Sequence, residues 1–285
     1  MAESPESSAS SQSRTSSESR KPSQPTKPSQ SRASEPQPGA DDRSFPARRA
    51  PGCATLGALD AQVVDCRACP RLVTWREQVA VEKRAAYRDQ EYWGRPVPGF
   101  GPAEAALAVV GLAPAAHGGN RTGRMFTGDP AGDFLVAGLH AVGLASQPTA
   151  TAADDGLTLR GVRMAAPVHC APPQNKPTTE ERDTCRPWLA AELALLRPGL
   201  RAVVVLGGFG WQALLPVLAD AGWRLPRPRP VFGHGAQVVL AGTDGRDELR
   251  LFGCYHPSRR NVNTGLLTRP MLEAVFREAA AAAGL

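Results

Sequence analysis

The sequence predicts an α/β protein, a three-layer α/β/α sandwich around a central, mostly parallel sheet of about four strands. Three observations carry that expectation. Short runs rich in Val, Leu and Ala alternate with helix-period segments across residues 53–285, the pattern of successive β-α-β units. The runs are apolar throughout, as strands covered on both faces are. Each run also passes into Gly, Pro or Asn, the residues that end a strand in a loop.

In chain order, "TLGALDAQVVDCRACPRLVTWREQVAVEKRAAY" carries apolar residues at Leu56, Leu59, Val63, Val64, Leu72 and Val73 between long charged ones. This reads as two helices interrupted at Cys69-Pro70, where proline ends one and opens the next. "ALAVVGLAP" (106–114) is a buried strand. "DPAGDFLVAGLHAVGL" follows as a helix, with Pro130 in its first turn and Phe134, Leu135, Leu139 and Val142 on one face. "VRMAAPVHC" (162–170) is a second strand, leading into the irregular "APPQNKPTTEERDTC". "RPWLAAELALLRPG" is a short helix started by Pro187 and stopped by Pro198-Gly199. "RAVVVLGG" is a strand, and "GWQALLPVLADAG" a helix weakened in its middle by Pro216. "AQVVLAG" and "ELRLFGCYHP" form a hairpin or two adjacent strands, and "TRPMLEAVFREAAAAAG" closes the chain as a helix begun near Thr268.

The first fifty residues differ from all of this. They hold fourteen Ser and seven Pro, and their only large apolar residues are Met1 and Phe45. Such a segment buries too little surface to offset its ordering entropy, so residues 1–52 are expected to form a disordered tail ahead of one domain at 53–285. The tail has no apolar core of the kind a secretory signal needs, and its six acidic residues count against a transit peptide. No later window supplies the ~18 to 20 apolar residues of a membrane span. The net charge of +6 is compatible with phosphate-rich partners without identifying one.

Cys66-x2-Cys69 and Cys170-x14-Cys185 give two thiol pairs, each on loop-like sequence beside proline. Four thiolates hold either a tetrahedral zinc ion or an iron-sulfur cluster, and spacing alone leaves the two open. The alternative is four unrelated cysteines, since a free Cys is often a small buried hydrophobe; the charged surroundings of Cys66 and Cys69 argue against it. Cys53 and Cys254 read as bystanders.

"GLAPAAHGGNRTGRMFTGDPAGDFL" (111–135) is a strand end, a glycine-rich loop and a helix start, with Arg121, Arg124 and Asp129 able to present charge. Glycines permit close approach of a ligand, and a helix N-terminus favours an anionic group. It is not a Walker loop, because no Lys-Ser or Lys-Thr follows the glycines. Phe126 is either a local core plug or a stacking platform for a planar ligand. Asn175, in "CAPPQNKPTTEE", is either a turn former or a reader of a nucleobase edge. In "GCYHPSRRNVNTG" (253–265), His256 follows a strand and two arginines and two asparagines follow His256.

Together these stretches resemble the uracil-DNA glycosylase superfamily, and most closely its family 5 branch. The resemblance covers roughly residues 56–285: the 111–135 segment is similar to the family's first motif, "CAPPQNKPT" to its middle motif, "CRPWLAAELALLRP" with "VVVLG" to its sheet core, and "HPSRRNVNTGLLT" to its last motif. The resemblance implies a DNA repair hydrolase that extrudes a deaminated base and breaks its N-glycosidic bond. Uracil is the implied base, with hypoxanthine, xanthine and ethenocytosine accepted by other family members. Gly111, Ala113, Phe126 and Asn175 would bind the base. His256, as a neutral imidazole with its second nitrogen fixed, would donate to a uracil carbonyl oxygen, and Arg259, Arg260, Asn261 and Asn263 would contact DNA. Cys66, Cys69, Cys170 and Cys185 match the positions that hold a 4Fe-4S cluster in families 4 and 5, with zinc the alternative. The implied partner is double-stranded DNA, with single-stranded DNA second, and no membrane; the chain is expected to be a monomer in the cytoplasm, associated with the nucleoid through its DNA.

One departure concerns the attacking water. Well-known superfamily members carry Asp, Asn or Glu just after the first glycine of the first motif, and here Leu112 stands there, followed by Ala113 and Pro114. Asp129 is the carboxylate beside the glycines and Phe126, so it is expected either to take part in catalysis or to cap the helix at Pro130. Two other classes of function compete: a non-catalytic DNA-damage binder on the same fold, and an iron-sulfur electron carrier. The first needs none of Phe126, Asn175 and His256, and the second predicts a compact cysteine run in a small chain.

Overall fold

A computed structural model of the protein describes residues 42–243, 245 and 248–285. Of the segment expected to be unstructured, residues 1–41 lie outside those described. Residues 42–52 depart from the expectation. They form α1 (Phe45–Arg49) and a 3-10 turn, with Phe45 buried and its ring meeting that of Trp188 edge-on at 6.0 Å. One aromatic residue with a partner suffices to hold so short a helix, so the folded part of the chain starts before residue 53.

The sheet has five strands, one more than expected, in the order β2 (Val162–Ala165), β1 (Leu107–Val110), β3 (Ala202–Leu206), β5 (Glu248–Cys254) and β4 (Gln237–Ala241). All pairs are parallel except β4 with β5, which is the expected hairpin and supplies the extra edge strand. Successive side chains point to opposite faces. Val203 and Val205 of β3 pack on one side with α2 (Leu56–Val63), α6 (Thr179–Leu196) and α7 (Gly208–Asp220). Ala202, Val204 and Leu206 pack on the other with α5 (Pro130–Ala141) and α9 (Arg269–Ala283). These are the three layers that the apolar strands predicted.

The interruption at Cys69-Pro70 is real: α2 ends at Val63, and α3 (Pro70–Glu82) begins on the proline. Pro187, however, does not start a helix. It lies inside α6, which begins eight residues earlier at a capping box in which the Thr178 hydroxyl accepts from Glu181 N–H at 3.1 Å and the Glu181 carboxylate accepts from Thr178 N–H at 2.8 Å. Proline in a helix interior costs about 3 kcal/mol. Burial of Cys185, Trp188, Leu189, Leu193 and Leu196 along one face offsets that cost. Pro216 is accommodated in the same way within α7, between buried Leu215 and Val217. No helix among the described residues is long and apolar enough to cross a membrane.

If the capping box fixes the start of α6, Thr178→Ala lowers stability by about 1 kcal/mol, read as a lower urea midpoint with an unchanged slope. An unaltered midpoint would mean that tertiary packing alone sets the helix start.

Candidate active site

The parallel strands β1, β3 and β5 deliver three loops to one edge of the sheet, and a single pocket opens between them. Its wall includes Leu112, Ala113 and Pro114 after β1, Gly207, Gly208 and Phe209 after β3, and Tyr255 and His256 after β5. Of the residues expected from the sequence, Ala113, Phe126, Asp129, Asn175, His256, Arg259, Arg260 and Asn261 all line it. Two do not. Gly111 lies behind Phe126, and Asn263 is exposed at the end of α8 (Arg259–Asn263).

Phe126 is seated by close packing. A side chain at Gly111 would bring its Cβ within 2.5 Å of the Phe126 ring, so only glycine leaves room for the aromatic to lie against the end of β1. The backbone of Phe126 has a φ of 49°, which an L-residue with a bulky side chain adopts at a cost. Gly111 therefore acts on the pocket through Phe126, and not by touching its interior.

Asp129 does what the capping alternative expected. Its Oδ1 accepts from Ala131 N–H at 2.9 Å and Gly132 N–H at 3.0 Å, opening α5. The same carboxyl lines the pocket, and Oδ2 accepts no hydrogen bond among the described residues. Burial pushes its pKa up, while the two backbone N–H groups and the charges of Arg121 and Arg259 pull the other way.

His256 sits where β5 leaves the sheet, and burial takes its pKa down to about 4. It is therefore neutral near pH 7, with one ring N–H to donate. Neither ring nitrogen has a hydrogen-bonding partner among the described residues, so the second nitrogen is not fixed by the protein as the sequence led us to expect. The backbone beneath it is fixed. Gly207, at a φ of 93°, donates its N–H to Cys254 O at 2.8 Å, and Asn261 Nδ2 donates to His256 O at 2.9 Å.

The residues after His256 are helical. Ser258 caps α8 by accepting from Asn261 N–H at 3.3 Å, which turns the exposed Arg259 and Arg260 toward the pocket rim. Neither arginine is in an ion pair among the described residues. Asn261 also accepts from Leu267 N–H through its carbonyl, so its first task is to hold this turn together.

Arg121 and Arg124, which the sequence offered as charge for a ligand, are used internally. Arg121 donates to Gly128 O at 2.7 Å and Gln90 Oε1 at 2.5 Å, and Arg124 makes a two-pronged pair with Asp155 at 2.8 Å on both oxygens. Both are buried. Sequence reasoning also missed Phe209, Phe232 and Tyr255. Phe232 comes from the proline-rich stretch 226–232, which has no periodicity to reveal it, and joins Trp211 and Tyr255 in a ring cluster at 5.9 and 6.2 Å. His234 stacks on Tyr255 at 5.0 Å and its Nδ1 accepts from Tyr255 N–H at 3.2 Å.

Cys66, Cys69, Cys170 and Cys185 line a second cavity together, walled by Pro46, Leu72, Val168 and Trp188. Burial pushes the thiol pKa of Cys69 up to about 12 and that of Cys170 up to about 11, and those of Cys66 and Cys185 also rise by burial. Among the described residues no three or more His, Cys, Asp or Glu side chains converge as a ready site for a metal ion. Cys53 and Cys254 lie outside this cavity, as expected.

A family model described as the uracil DNA glycosylase superfamily matches residues 98–280. The chain is 53% identical over 234 residues to a type-5 uracil-DNA glycosylase of Mycobacterium tuberculosis, covering 82% of this chain and 84% of that one. It is 50% identical over 220 residues to the type-5 uracil-DNA glycosylase of Thermus thermophilus, covering 77% and 94%. A type-4 uracil-DNA glycosylase of Pyrobaculum aerophilum is 29% identical over 190 residues, covering 66% and 81%.

The depressed pKa of His256 has a definite consequence for stability. Between the ordinary value of 6.5 and about 4 the unfolded chain takes up a proton at this position that the folded protein does not. Stability is thus lost as the pH falls through that window. The urea midpoint of His256→Gln, measured relative to the unaltered protein, should rise on going from pH 7 to pH 5. Parallel curves would show that the imidazole is not desolvated.

Proposed function

The chain belongs to the uracil-DNA glycosylase superfamily, and on that premise we propose that it removes uracil from DNA by hydrolysing the N-glycosidic bond, leaving an abasic site. The observation that carries the reading into chemistry is the single pocket that combines an aromatic face, an amide, a neutral imidazole and a carboxyl with a rim of exposed arginines.

The target nucleotide leaves the stack before its glycosidic bond is reachable. In the pocket Phe126 stacks on the extruded base, and Asn175, whose amide is both donor and acceptor, bonds its polar edge. As the bond stretches, negative charge gathers on the base and positive charge on the sugar. His256, neutral at working pH, donates its N–H to the carbonyl oxygen where that charge accumulates, and it does so in an environment poor in competing water. Leu112 supplies no base for the water. Asp129 takes that role through Oδ2, because Oδ1 is committed to the helix cap. Arg259 and Arg260 bind phosphate beside the opened minor groove, with α8 as their platform.

The pocket wall is mostly apolar and carries more than one aromatic residue, which supports acceptance of hypoxanthine and xanthine beside uracil. Double-stranded DNA is the main substrate, with single-stranded DNA second, and the chain works as a monomer on the nucleoid in the cytoplasm. The four cysteines that line one cavity would hold a 4Fe-4S cluster. The four sulfurs come from the α2–α3 loop, the segment after β2, and α6, and they share one cavity, the donor set that such a cluster takes. Bound there, the cluster supplies a covalent tie among those three segments; hydrolysis is redox-neutral and is carried out in the other cavity.

A duplex containing one uracil, incubated with the protein and then treated with alkali, should be cut at that position, and an intact strand would sink the enzyme reading. In single-turnover assays His256→Ala should slow excision by about 10²–10³-fold, the usual effect of removing one transition-state donor, while the Kd for DNA changes far less. Asp129→Asn keeps a good cap, so an excision rate reduced by about 10²-fold at unchanged stability is expected of a group that handles the water; an unchanged rate would leave it a cap only. Arg259→Ala should weaken DNA binding and make its salt dependence shallower by about one unit of slope.

A further inference from the structure

We infer that Arg76 is the internal counter-ion of the four-cysteine centre and sets the reduction potential of its cluster, an inference that rests on the 4Fe-4S reading above. The three most deeply buried arginines among the described residues are Arg76, Arg163 and Arg124, and two of them meet carboxylates. Arg163 donates to Glu192 Oε1 at 2.5 Å and to Asp60 at 2.7 and 2.9 Å. Arg124 has Asp155. Arg121, slightly nearer the surface, meets carbonyl oxygens and the face of Tyr87. Arg76 is only 1% exposed and meets sulfur instead: its Nη1 donates to Cys170 Sγ at 2.9 Å and to Cys66 O at 3.2 Å.

The nearest carboxylate to Arg76 is Glu77, at 3.8 Å from Nη2, partly exposed and already held by both terminal nitrogens of Arg67. A guanidinium cannot shed its proton, so one buried this deeply needs an anion. The neighbours available to Arg76 supply that anion only if the cysteines are thiolates, which is what a cluster makes of them. A second observation agrees. Trp188 lines the cysteine cavity with its indole N–H directed at the Cys66 thiol, and the buried Nε of Arg76 has no hydrogen-bond partner among the described residues. An indole N–H and a guanidinium N–H beside four cysteines are groups that donate to cluster and cysteine sulfur.

One-electron reduction of the cluster by a reductant such as dithionite adds one negative charge and no proton. A buried positive charge with N–H groups directed at sulfur stabilises the reduced form and raises the potential. Arg76 touches neither the base nor the water, so it is a positioning and tuning residue.

The experiment uses the full chain, purified without oxygen, as the unaltered protein, Arg76→Gln and Arg76→Lys. Each is analysed for iron and acid-labile sulfide and titrated potentiometrically with the reduced cluster followed by electron paramagnetic resonance. The unaltered protein should contain about four irons and four sulfides per chain. Arg76→Gln should have a midpoint more negative by about 59 mV, a tenfold change for a one-electron couple. Arg76→Lys keeps the charge but not the planar donor, so its shift should have the same sign and be smaller. Absence of iron and sulfide from the unaltered protein would overturn the cluster reading and this inference with it. A cluster present in all three at one potential would overturn the role of Arg76 alone. Should Arg76→Gln not fold, Arg76→Lys decides, and an unshifted midpoint there is the overturning result.

Discussion

The parallel register of β1, β3 and β5 is the constraint on which the site depends. Val110 stands opposite Val205, and Val205 opposite Gly253, so the three strands run out nearly level at one edge. The segments that leave the strands are thereby brought to a common place: the first motif after β1, Gly207 after β3 and His256 after β5. A one-residue slip would move a strand end by about 3.3 Å and turn its inward side chains to the other layer. Both layers are apolar, yet they are not interchangeable in shape. Val203 and Val205 fill the side of α6 and α7, whereas Ala202, Val204 and Leu206 fill that of α5 and α9. Core packing, far from the pocket, thus fixes where the imidazole of His256 and the ring of Phe126 line it.

Burial then gives the two ionisable groups of the pocket complementary tendencies. It lowers the basicity of His256, which stays neutral with a proton to donate, and it raises the pKa of Asp129, whose charge is supported by the first N–H groups of α5. The same loss of solvent that shifts both groups strengthens any hydrogen bond made to charge developing on a leaving base. The arginines of α8 sit at the pocket rim and keep their contact with water.

Much of this was legible in the sequence where a physical rule acts locally. Apolar runs gave the strands, Pro130 after Asp129 gave the start of α5, and four cysteines beside prolines gave a set that shares one cavity. The failures have one cause, which is that tertiary partners overrode a local rule. Pro187 looked like a helix start because proline disfavours helix interiors, but a capping box upstream and a buried face downstream outweighed it. Phe45 looked too isolated to order its segment, but Trp188 lies 143 residues away in sequence and packs against it. Arg121 and Arg124 looked like ligands for an anion because nothing nearby in sequence shows Gln90 or Asp155 reaching them. Phe232 carried no signal at all, since a lone aromatic among prolines has no period.

The pocket also concentrates backbone strain. Among the described residues the positive φ angles of non-glycine residues are at Lys83, Phe126, Gln174 and Asn175, so three of the four belong to or adjoin side chains that line the pocket. Each such residue costs on the order of 1–3 kcal/mol and persists only where its surroundings hold it. For Phe126 the hold is visible: Gly111 beneath the ring and the capped start of α5 a few residues on. For Asn175 it is a proline-rich 3-10 turn whose N–H groups return to Pro172 and Pro173 carbonyls at 3.1 Å. An aromatic ring and an amide that line a pocket lose least on binding a ligand if they cannot move. Strain supported by a rigid edge of sheet is one way to ensure this. It also explains why glycine-rich and proline-rich loops, which in isolation look like irregular crossovers, line the pocket here: glycine admits the close approach, proline removes alternatives, and the strained residue between them has one conformation left.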